Sequence, residues 1–542
     1  MVQSMAELYL VNGDVYTQDP RHPNARAVAI RSGRFRAVGD DDQIRDLTTP
    51  NAQIIDLEGR LALPGLTDAH FHLHDWALGL QRLPLADTVS LADLCQRLAQ
   101  KASQTPPDQW VLGQGWNETR WPVARFPTRQ DLDAVAPAHP VLLCRCDMHL
   151  AVANSKALQR AGITADTHDP PEGTLDRDGS GEPTGVLREL AMSLVSDIIP
   201  PPSEDETVRA LREAFPLLHR LGLTGIHDYR IMDGSDGPPA FRAYQRLLAA
   251  DQLPLRLWMN LPGNRLSEAI ALGLRTGLGD GHLCVGHVKL FSDGAQGART
   301  AWMLEPYLGD DHCGMPLTPM DEIADAIGRA DQAGLAVAVH AIGDRANREL
   351  LSILEQSQRE RRHDVHPVPS HVPHRIEHVQ NIQPQDVARL ARLGVVASVQ
   401  PIHATDDMAM IEQTVGQRAR FAYLFRDLWD AGVVLALGSD CPVADPNPLW
   451  GIHAAVTRQR RDGTPPGGWY PGQRLTVAEA VWGFTMGPAL ATGRQNELGS
   501  ISPGKRADLV VLDRDIFAIE PEEIARAQVV MTVLDGEVVY RR

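Results

Sequence analysis

The chain has 542 residues, of which 43% are hydrophobic and 22% are charged. These fractions lie near the averages for folded globular proteins, so the composition excludes a disordered or fibrous protein. The formal net charge of -17 argues against nucleic acid or an anionic membrane surface as a partner, because both attract clustered Lys and Arg.

The beginning of the chain does not resemble a secretory signal, because residues 1–14 lack a basic segment followed by a long apolar core. No later stretch approaches the roughly 18 apolar residues of a membrane span. The spacing of the six cysteines is not that of a disulfide-bonded framework, which suits a reducing compartment. We therefore expect a cytoplasmic protein.

Both ends of the chain predict short strands. Residues 6–60 alternate apolar runs with turns, and residues 507–513 and 529–540 repeat this pattern near the C-terminus. Helical periodicity is almost absent from these segments. We therefore expect one small β domain built from both termini.

The middle of the chain alternates strand-like apolar runs with helical stretches such as 207–221, 321–333 and 385–393. The expected strands are 61–72, 141–146, 225–228, 255–260 with 285–291, 335–340, 375–378, 395–400 and 433–440. About eight such units predict a closed barrel of parallel strands, whose chemistry lies at the C-terminal strand ends.

Two stretches interrupt this rhythm. Residues 76–138 are long and contain several prolines, and residues 165–190 are rich in Gly and Pro. Such insertions act as lids in some barrels and are plain surface loops in others.

A short apolar run ends in His70 and His72. Alternate side chains of a β-strand share one face, so both imidazoles would point the same way, as two ligands of one metal must. The pair alone is weak evidence, because the chain contains 20 histidines.

Other metal-ligand side chains occur at later strand ends. The set consists of four imidazoles, one carboxylate and one lysine: His70, His72, Lys289, His340, His378 and Asp440. Such donors suit borderline divalent metals. Each residue alone is ambiguous, but the set in strand order predicts a metal centre.

The segment 64–72 and the later strand ends resemble the metal motif of the amidohydrolase superfamily. Segments 147–149, 154–155, 185–189, 288–295, 339–344 and 375–378 are similar to the YtcJ-like branch, amidohydrolase family 3, which includes N-substituted formamide deformylase. The resemblance covers nearly the whole chain.

The resemblance implies an α/β fold: a distorted (β/α)8 TIM barrel over residues 65–496, with insertions at about 76–138 and 165–190. A small β-sandwich would comprise residues 1–64 plus 497–542. The resemblance further implies a small-molecule substrate and a homodimer.

It also implies two divalent metal ions, usually zinc. His70, His72 and Asp440 would hold the first ion, and His340 and His378 the second. Lys289 would be carboxylated and bridge them, although some relatives use one metal. The alternative for Lys289 is an ion pair with Asp293.

In such a site a metal-bridged hydroxide attacks the substrate carbonyl. Asp440 would take the proton and pass it to the leaving nitrogen. His149 is the candidate donor to the oxyanion; alternatively, it is a loop histidine bonded to backbone carbonyls. The branch usually has Gly before this histidine, whereas this chain has Met148.

The remaining candidates have more ordinary alternatives. His227 and Asp228 would orient the ligands through hydrogen bonds. Arg299 would contact substrate or, alternatively, form a structural ion pair. Trp116 would contact substrate or, alternatively, anchor the packing of the insertion. His74 shares the face of His70 only if the strand continues that far, so we expect it not to bind this metal.

The predicted function is hydrolysis of a C–N bond, in an amide, N-formyl, N-acyl or carbamate group of a small molecule. An ester or lactone hydrolase, or an isomerase, could use the same metal site. A non-catalytic scaffold is a further alternative, but scaffolds of this kind typically lose ligands.

Overall fold

The computed structural model describes residues 7–50, 52–146, 149–170, 173–361 and 372–542. The chain divides into two compact units, one of Met1–Trp76 with Leu211–Arg542 and the other of Ala77–Ala210. The second unit spans both predicted insertions and the segment between them.

The strands lie in four sheets. Their bounds are β1 Leu8–Val11, β2 Asp14–Tyr16, β3 Asn24–Ala25, β4 Ala27–Arg31, β5 Arg34–Gly39, β6 Gln53–Asp56, β7 Leu61–Pro64, β8 Leu66–Phe71, β9 Leu83–Pro84, β10 Val111–Trp116, β11 Val141–Arg145, β12 Leu150–Ala153, β13 Gly173–Arg177, β14 Pro183–Glu189, β15 Leu223–Asp228, β16 Arg256–Pro262, β17 Leu283–Phe291, β18 Val337–Ala341, β19 Arg375–His378, β20 Val396–Val399, β21 Leu435–Leu437, β22 Leu509–Leu512, β23 Val529–Leu534 and β24 Glu537–Arg541.

The α-helices are mostly short. They are α1 Asp41–Arg45, α2 Leu73–Gly79, α3 Leu91–Gln104, α4 Arg129–Asp133, α5 Ser155–Arg160, α6 Ser193–Ser196, α7 Glu204–Arg220, α8 Gly237–Ala249, α9 Leu266–Ala271, α10 Met320–Ala333, α11 Asp344–Arg361, α12 Pro384–Leu393, α13 Pro401–Asp406, α14 Met408–Val415, α15 Phe425–Asp430, α16 Pro448–Thr457, α17 Val477–Gly483 and α18 Met486–Ala491. Short 3-10 helices occupy Glu118–Arg120, Leu190–Met192, Gly263–Arg265, Gly416–Phe421, Pro471–Gln473 and Pro521–Arg526.

Eight parallel strands form the barrel, in the order β21-β20-β19-β18-β17-β16-β15-β8. The barrel closes between β8 and the segment after β21. There the amide of Asp440 donates to the carbonyl of His70 (2.7 Å), and the amide of His72 donates to the carbonyl of Cys441 (2.8 Å). Both carboxylate oxygens of Asp68 accept from the amide of Ser439 at 3.1 Å. The predicted α/β barrel is confirmed.

Helices follow the barrel strands where the apolar spacing predicts them. In α10, buried Ile323, Ile327 and Ala330 recur every three or four residues, so one face is apolar. The helix ends at Gly334, whose φ of 74° is left-handed. The helices predicted at 207–221, 321–333 and 385–393 are confirmed as α7, α10 and α12.

Both termini contribute to a β-sandwich. One sheet has the order β5-β4-β1-β6 and the other β24-β23-β22-β7-β2-β3. Within the second sheet Ala62 of the N-terminal part pairs with Val511 of the C-terminal part. Leu10 of the first sheet and Leu509 of the second lie in one buried cluster, which confirms the predicted β-sandwich built from both ends; its bounds of 1–64 and 497–542 stay a prediction.

The second unit contains its own sheet, with the order β13-β14-β12-β11-β10-β9. The predicted strand 141–146 forms here as β11, so its assignment to the barrel was wrong. An apolar run does not specify which strands pair with it, and the local pattern is the same in either sheet. The second barrel strand is β15, and the 255–260 and 285–291 runs are separate neighbours, β16 and β17. The Gly- and Pro-rich insertion 165–190 contains the β13–β14 hairpin.

Across the described ranges, no helix has the length and apolar character needed to cross a membrane.

Candidate metal centre

The six predicted ligands lie at one edge of the barrel. They are His70 on β8, His72 just after it, Lys289 on β17, His340 on β18, His378 at the end of β19, and Asp440 after β21. Parallel strands bring their C-terminal ends to the same edge, so residues distant in sequence meet there.

The carboxylate of Asp440 lies among the imidazoles. Its Oδ1 atom is 3.4 Å from Nε2 of His70 and 3.2 Å from Nε2 of His72. His70, His378 and Asp440 each offer a ligand atom within 4.8 Å of the other two. The ring of His340 is 4.6 Å from that of His378, so all five side chains form one cluster.

The chemistry of this cluster fits a divalent metal ion. Burial, followed by the charge of Lys289, lowers the pKa of His70 to about 4 and that of His340 to about 3. Neutral imidazoles keep the lone pair that a metal requires. The Nδ1 atom of His72 is buried without a hydrogen-bond partner among the described residues.

Asp440 supplies the negative charge of the cluster. Burial alone would raise its pKa, but the adjacent His70, His72 and His378 hold the pKa well below the usual value for a carboxyl. The residue is therefore an ionised carboxylate, which with the imidazoles makes a donor set for a borderline divalent ion.

A buried carboxylate orients His70. Nδ1 of His70 lies 2.7 Å from Oε2 of Glu377, and the hydroxyl of Tyr229 donates to the other oxygen of Glu377 at 2.8 Å. The Tyr229 ring stacks on the His70 ring with centroids 3.9 Å apart. With Nδ1 engaged, Nε2 of His70 remains for a metal.

A second orienting contact involves His378, whose Nδ1 lies 2.9 Å from Oε1 of Gln400. Both His378 and Asp440 have left-handed backbones, with φ of 74° and 59°. Non-glycine residues seldom adopt this conformation, and it concentrates at functional sites. At His378 it interrupts strand alternation, so that consecutive Glu377 and His378 both approach His70.

Lys289 is buried beside the cluster, with Nζ 4.8 Å from the ring centres of both Tyr229 and Phe291. Burial lowers its pKa to about 8, although Glu377 and Asp440 act in the opposite direction. The neutral amine is therefore more populated near neutral pH than it is in an exposed lysine.

The carboxylate of Asp293 is committed to backbone amides rather than to an ion pair with Lys289. It accepts hydrogen bonds from the amides of Trp302 (2.8 Å), Ile342 (3.0 Å) and Gly343 (2.8 Å). Burial raises its pKa to about 7, although the hydrogen bonds from these amides act to lower it. Asp293 thus ties the loop after β17 to the loop after β18.

Comparison with known proteins agrees with this geometry. The sequence pattern of the Amidohydrolase family matches residues 53–540. The chain belongs to the amidohydrolase family.

Relatives of this amidohydrolase match it over nearly its whole length. They are Protein LONG AFTER FAR-RED 3 of Arabidopsis thaliana, 34% identical over 99% of this chain and 92% of that protein; the putative amidohydrolase YtcJ of Bacillus subtilis, 30% identical over 98% of both; and the N-substituted formamide deformylase of Arthrobacter pascens, 31% identical over 99% of both. The predicted resemblance to the YtcJ-like branch is confirmed.

A solved structure is similar as well. The uncharacterized metal-dependent hydrolase from Pyrococcus horikoshii is 27% identical, with a TM-score of 0.78 over 95% of this chain and 99% of that one. The family and this neighbour together identify the protein as a metal-dependent hydrolase.

The other predicted residues of this amidohydrolase have varied surroundings. Nδ1 of His227 lies 2.9 Å from Arg375, which in turn lies 2.7 Å from Glu377, so His227 reaches the cluster only through those two. Asp228 accepts from the amide of Leu73 at 2.9 Å and contacts Arg230. It therefore fixes the backbone just after His72.

Arg299 forms an ion pair, and Trp116 is buried in a core, as the structural alternative for each residue predicts. Arg299 pairs with Asp310 at 3.5 Å. Trp116 has 0% exposure in the core of the second unit, where its indole donates to the carbonyl of Leu143. This position leaves Trp116 no exposed face for a substrate, which corrects that prediction.

His149 belongs to the second unit. Its side chain is 69% exposed, and Nδ1 lies 2.8 Å from a carboxylate oxygen of Glu189. Asp147 and Met148 lie outside the described residues. The role of His149 as an oxyanion donor stays a prediction.

Four supporting residues were missed in the sequence, namely Asp68, Tyr229, Glu377 and Gln400. Asp68 and Glu377 are acids within apolar strand runs, immediately beside predicted ligands, and that is a usable signal. Tyr229 and Gln400 give no comparable signal, because they meet the histidines only through the pairing of neighbouring barrel strands.

Proposed function

We propose that this amidohydrolase cleaves a C–N bond of a small molecule, in an amide, N-formyl, N-acyl or carbamate group. The observation that carries the proposal is the position of Asp440, whose Oδ1 lies 3.2 Å and 3.4 Å from two imidazoles. The similarity to N-substituted formamide deformylase, 31% identical over 99% of this chain, supports the choice of bond.

The side chains that would hold up to two divalent ions, zinc in our proposal, are His70, His72, His340, His378, Asp440 and a carboxylated Lys289. When bound, such ions lower the pKa of water towards neutrality and polarise a carbonyl oxygen.

Asp440 is the residue that moves the proton. As an ionised carboxylate beside two imidazoles, it accepts a proton from the attacking water and delivers it to the leaving nitrogen. Protonation makes that nitrogen an amine rather than an amide anion, which is the step that an amide requires and an ester does not.

Lys289 supplies a second anionic group in this proposal. Its neutral Nζ forms a bond to the carbon of carbon dioxide and loses a proton to solvent, giving a carbamate with two oxygen donors. A lysine ammonium would repel metal ions, whereas a carbamate binds them. His149 would donate to the oxyanion that forms at the carbonyl.

A substrate panel tests the proposal. The metal-loaded protein is incubated with N-formyl, N-acyl, carbamate, ester and lactone compounds, and free amine and acid are quantified, with the Asp440→Asn protein as control. Release of amine by the wild type alone supports the proposal. Turnover of esters or lactones only, or isomerisation without a freed amine, contradicts it.

Metal content is a second test. Elemental analysis of protein purified without chelator is expected to show bound divalent ions, and their removal is expected to abolish hydrolysis until metal is restored. Unchanged hydrolysis after complete metal removal would contradict the mechanism. We also propose a homodimer, which light scattering would test.

A further inference from the structure

A second group of metal-ligand side chains lies beside the start of α2. His74 and Asp75 follow β8, and Asp236 immediately precedes α8. Each offers one ligand atom within 4.8 Å of the other two. None of these three belongs to the cluster around Asp440, so they are not explained by the proposed reaction.

The charges around this group do not balance. Arg230 contacts Asp228 and lies 3.0 Å from Asp236, so one guanidinium serves two carboxylates. Asp75 adds a third carboxylate, so the carboxylates of this group outnumber the guanidinium by two. Asp228 and Asp236 are buried, where a charge without a counter-charge is costly, and a divalent ion would balance the excess.

His74 offers a buried ring nitrogen to an ion. Its Nδ1 lies 3.3 Å from a carboxylate oxygen of Asp75, while Nε2 is buried with no hydrogen-bond partner among the described residues. The residue is only 5% exposed, so this nitrogen is kept from bulk water. The two ring nitrogens face opposite sides of the imidazole, so an ion bound at Nε2 would draw the carboxylate of Asp75 away from Nδ1 and towards itself.

We propose that His74, Asp75 and Asp236 bind a divalent cation at a site separate from the centre around Asp440. One imidazole and two carboxylates suit Zn²⁺ or Mn²⁺. The side chain of Asp75 is 35% exposed, which gives the ion a route from solvent. The ion would join the start of α2 to the turn that precedes α8.

Crystals of the wild-type protein soaked with Zn²⁺ provide a direct test. We expect an anomalous difference peak at the zinc edge within about 2.0–2.2 Å of ligand atoms of these three residues. A peak at the Asp440 cluster without one at this group would overturn the proposal.

Metal counting in solution tests the same site without crystals. Asp75→Asn is expected to weaken binding of one Zn²⁺ per chain by at least roughly 10-fold in equilibrium dialysis. The matched control is Asp233→Asn, which changes an exposed carboxylate in the same turn as Asp236 and is expected to bind as the wild type does. Equal zinc affinity and stoichiometry in Asp75→Asn and wild type would refute the site.

The two sites are distinguished with Asp440→Asn, which alters only the proposed catalytic centre. This variant is expected to retain the ion at His74 even if the proposed hydrolysis is wrong. Circular dichroism of each variant checks that it has folded. If Asp440→Asn loses every bound ion while remaining folded, the separate site is contradicted.

Discussion

Nδ1 of His70 lies 2.7 Å from Oε2 of Glu377, and this contact connects the metal-binding edge of the barrel to a buried charged network. Arg375 lies 2.7 Å from the same carboxylate and donates to the carbonyl of Ala69 at 2.8 Å. Burial would raise the pKa of Glu377, but Arg375 and His70 hold it well below its usual value. The charged carboxylate thus fixes the tautomer of a predicted metal ligand.

Glu377→Gln is expected to weaken metal binding. The amide keeps the shape of the side chain but loses the charge that favours a proton on Nδ1 of His70. Removal of such a partner typically costs 10–100-fold in metal affinity or activity, and we expect about that loss in zinc affinity, measured by competition with a chromophoric chelator. Glu322→Gln, an exposed change on α10, serves as control. Unchanged affinity in Glu377→Gln would show that the contact does not tune the ligand.

Asp440→Asn is expected to lower kcat/KM by roughly 100-fold to 10,000-fold, because the amide can no longer accept the proton of water. The measurement is steady-state turnover of the best substrate from the panel, together with metal content. Asp445→Asn, on the same loop, is the control, since its carboxylate accepts from the amide of Asn447 instead. Activity near the wild-type level in Asp440→Asn would remove this residue from the mechanism.

Lys289→Ala is expected to lose roughly 100-fold in kcat/KM, because the anionic ligand proposed at this position would be lost with the amine. Short carboxylic acids such as acetate or propionate are expected to restore part of the activity by occupying the vacated volume. Lys289→Met also removes Nζ, but its longer side chain fills the space, so carboxylic acids should not restore the activity of this variant. Equal behaviour of the two variants would argue against a carbamate.

The sequence predicts which residues gather at this edge of the barrel, because each candidate ligand lies at or near the end of a barrel strand; their role as ligands stays a prediction. His340 and His378 follow buried apolar runs, and parallel pairing brings such ends together whatever the loops between them. The local pattern does not predict the sheet to which β11 belongs, because strand pairing depends on contacts between residues far apart in the sequence. Glu377 was missed for a related reason: alternation places it opposite His378, and only the left-handed backbone of His378 brings both to one site.

His149→Ala is expected to reduce kcat by about 100-fold or more with little change in KM, if this residue stabilises the oxyanion. The expectation rests on the sequence resemblance, because in the structure His149 contacts Glu189. His22→Ala, an exposed change in the β-sandwich, is the control. A change in KM alone would instead assign His149 to substrate binding.

Asp535→Asn is expected to reduce stability in a pH-dependent way. Asp535 lies between β23 and β24 of the β-sandwich and is 2.6 Å from Arg256 on β16 of the barrel and 2.8 Å from His282. Burial would raise its pKa, but His282 and Arg256 lower it below the ordinary value. The φ of 49° at Asp535 suits Asn as well as Asp, so the substitution removes the charge with little change in backbone.

The sign of the effect follows from the lowered pKa. The unfolded chain binds a proton at this carboxyl before the folded chain does, so the ion pairs stabilise the fold fully above about pH 4 and progressively less as the pH falls through the folded-state value. We expect Asp535→Asn to lower the free energy of unfolding by roughly 1–3 kcal/mol at pH 7, measured by urea denaturation, and by less at pH 3. Glu537→Gln, an exposed change on β24, should cost far less at either pH. A difference between Asp535→Asn and wild type that grew on acidification would contradict this assignment.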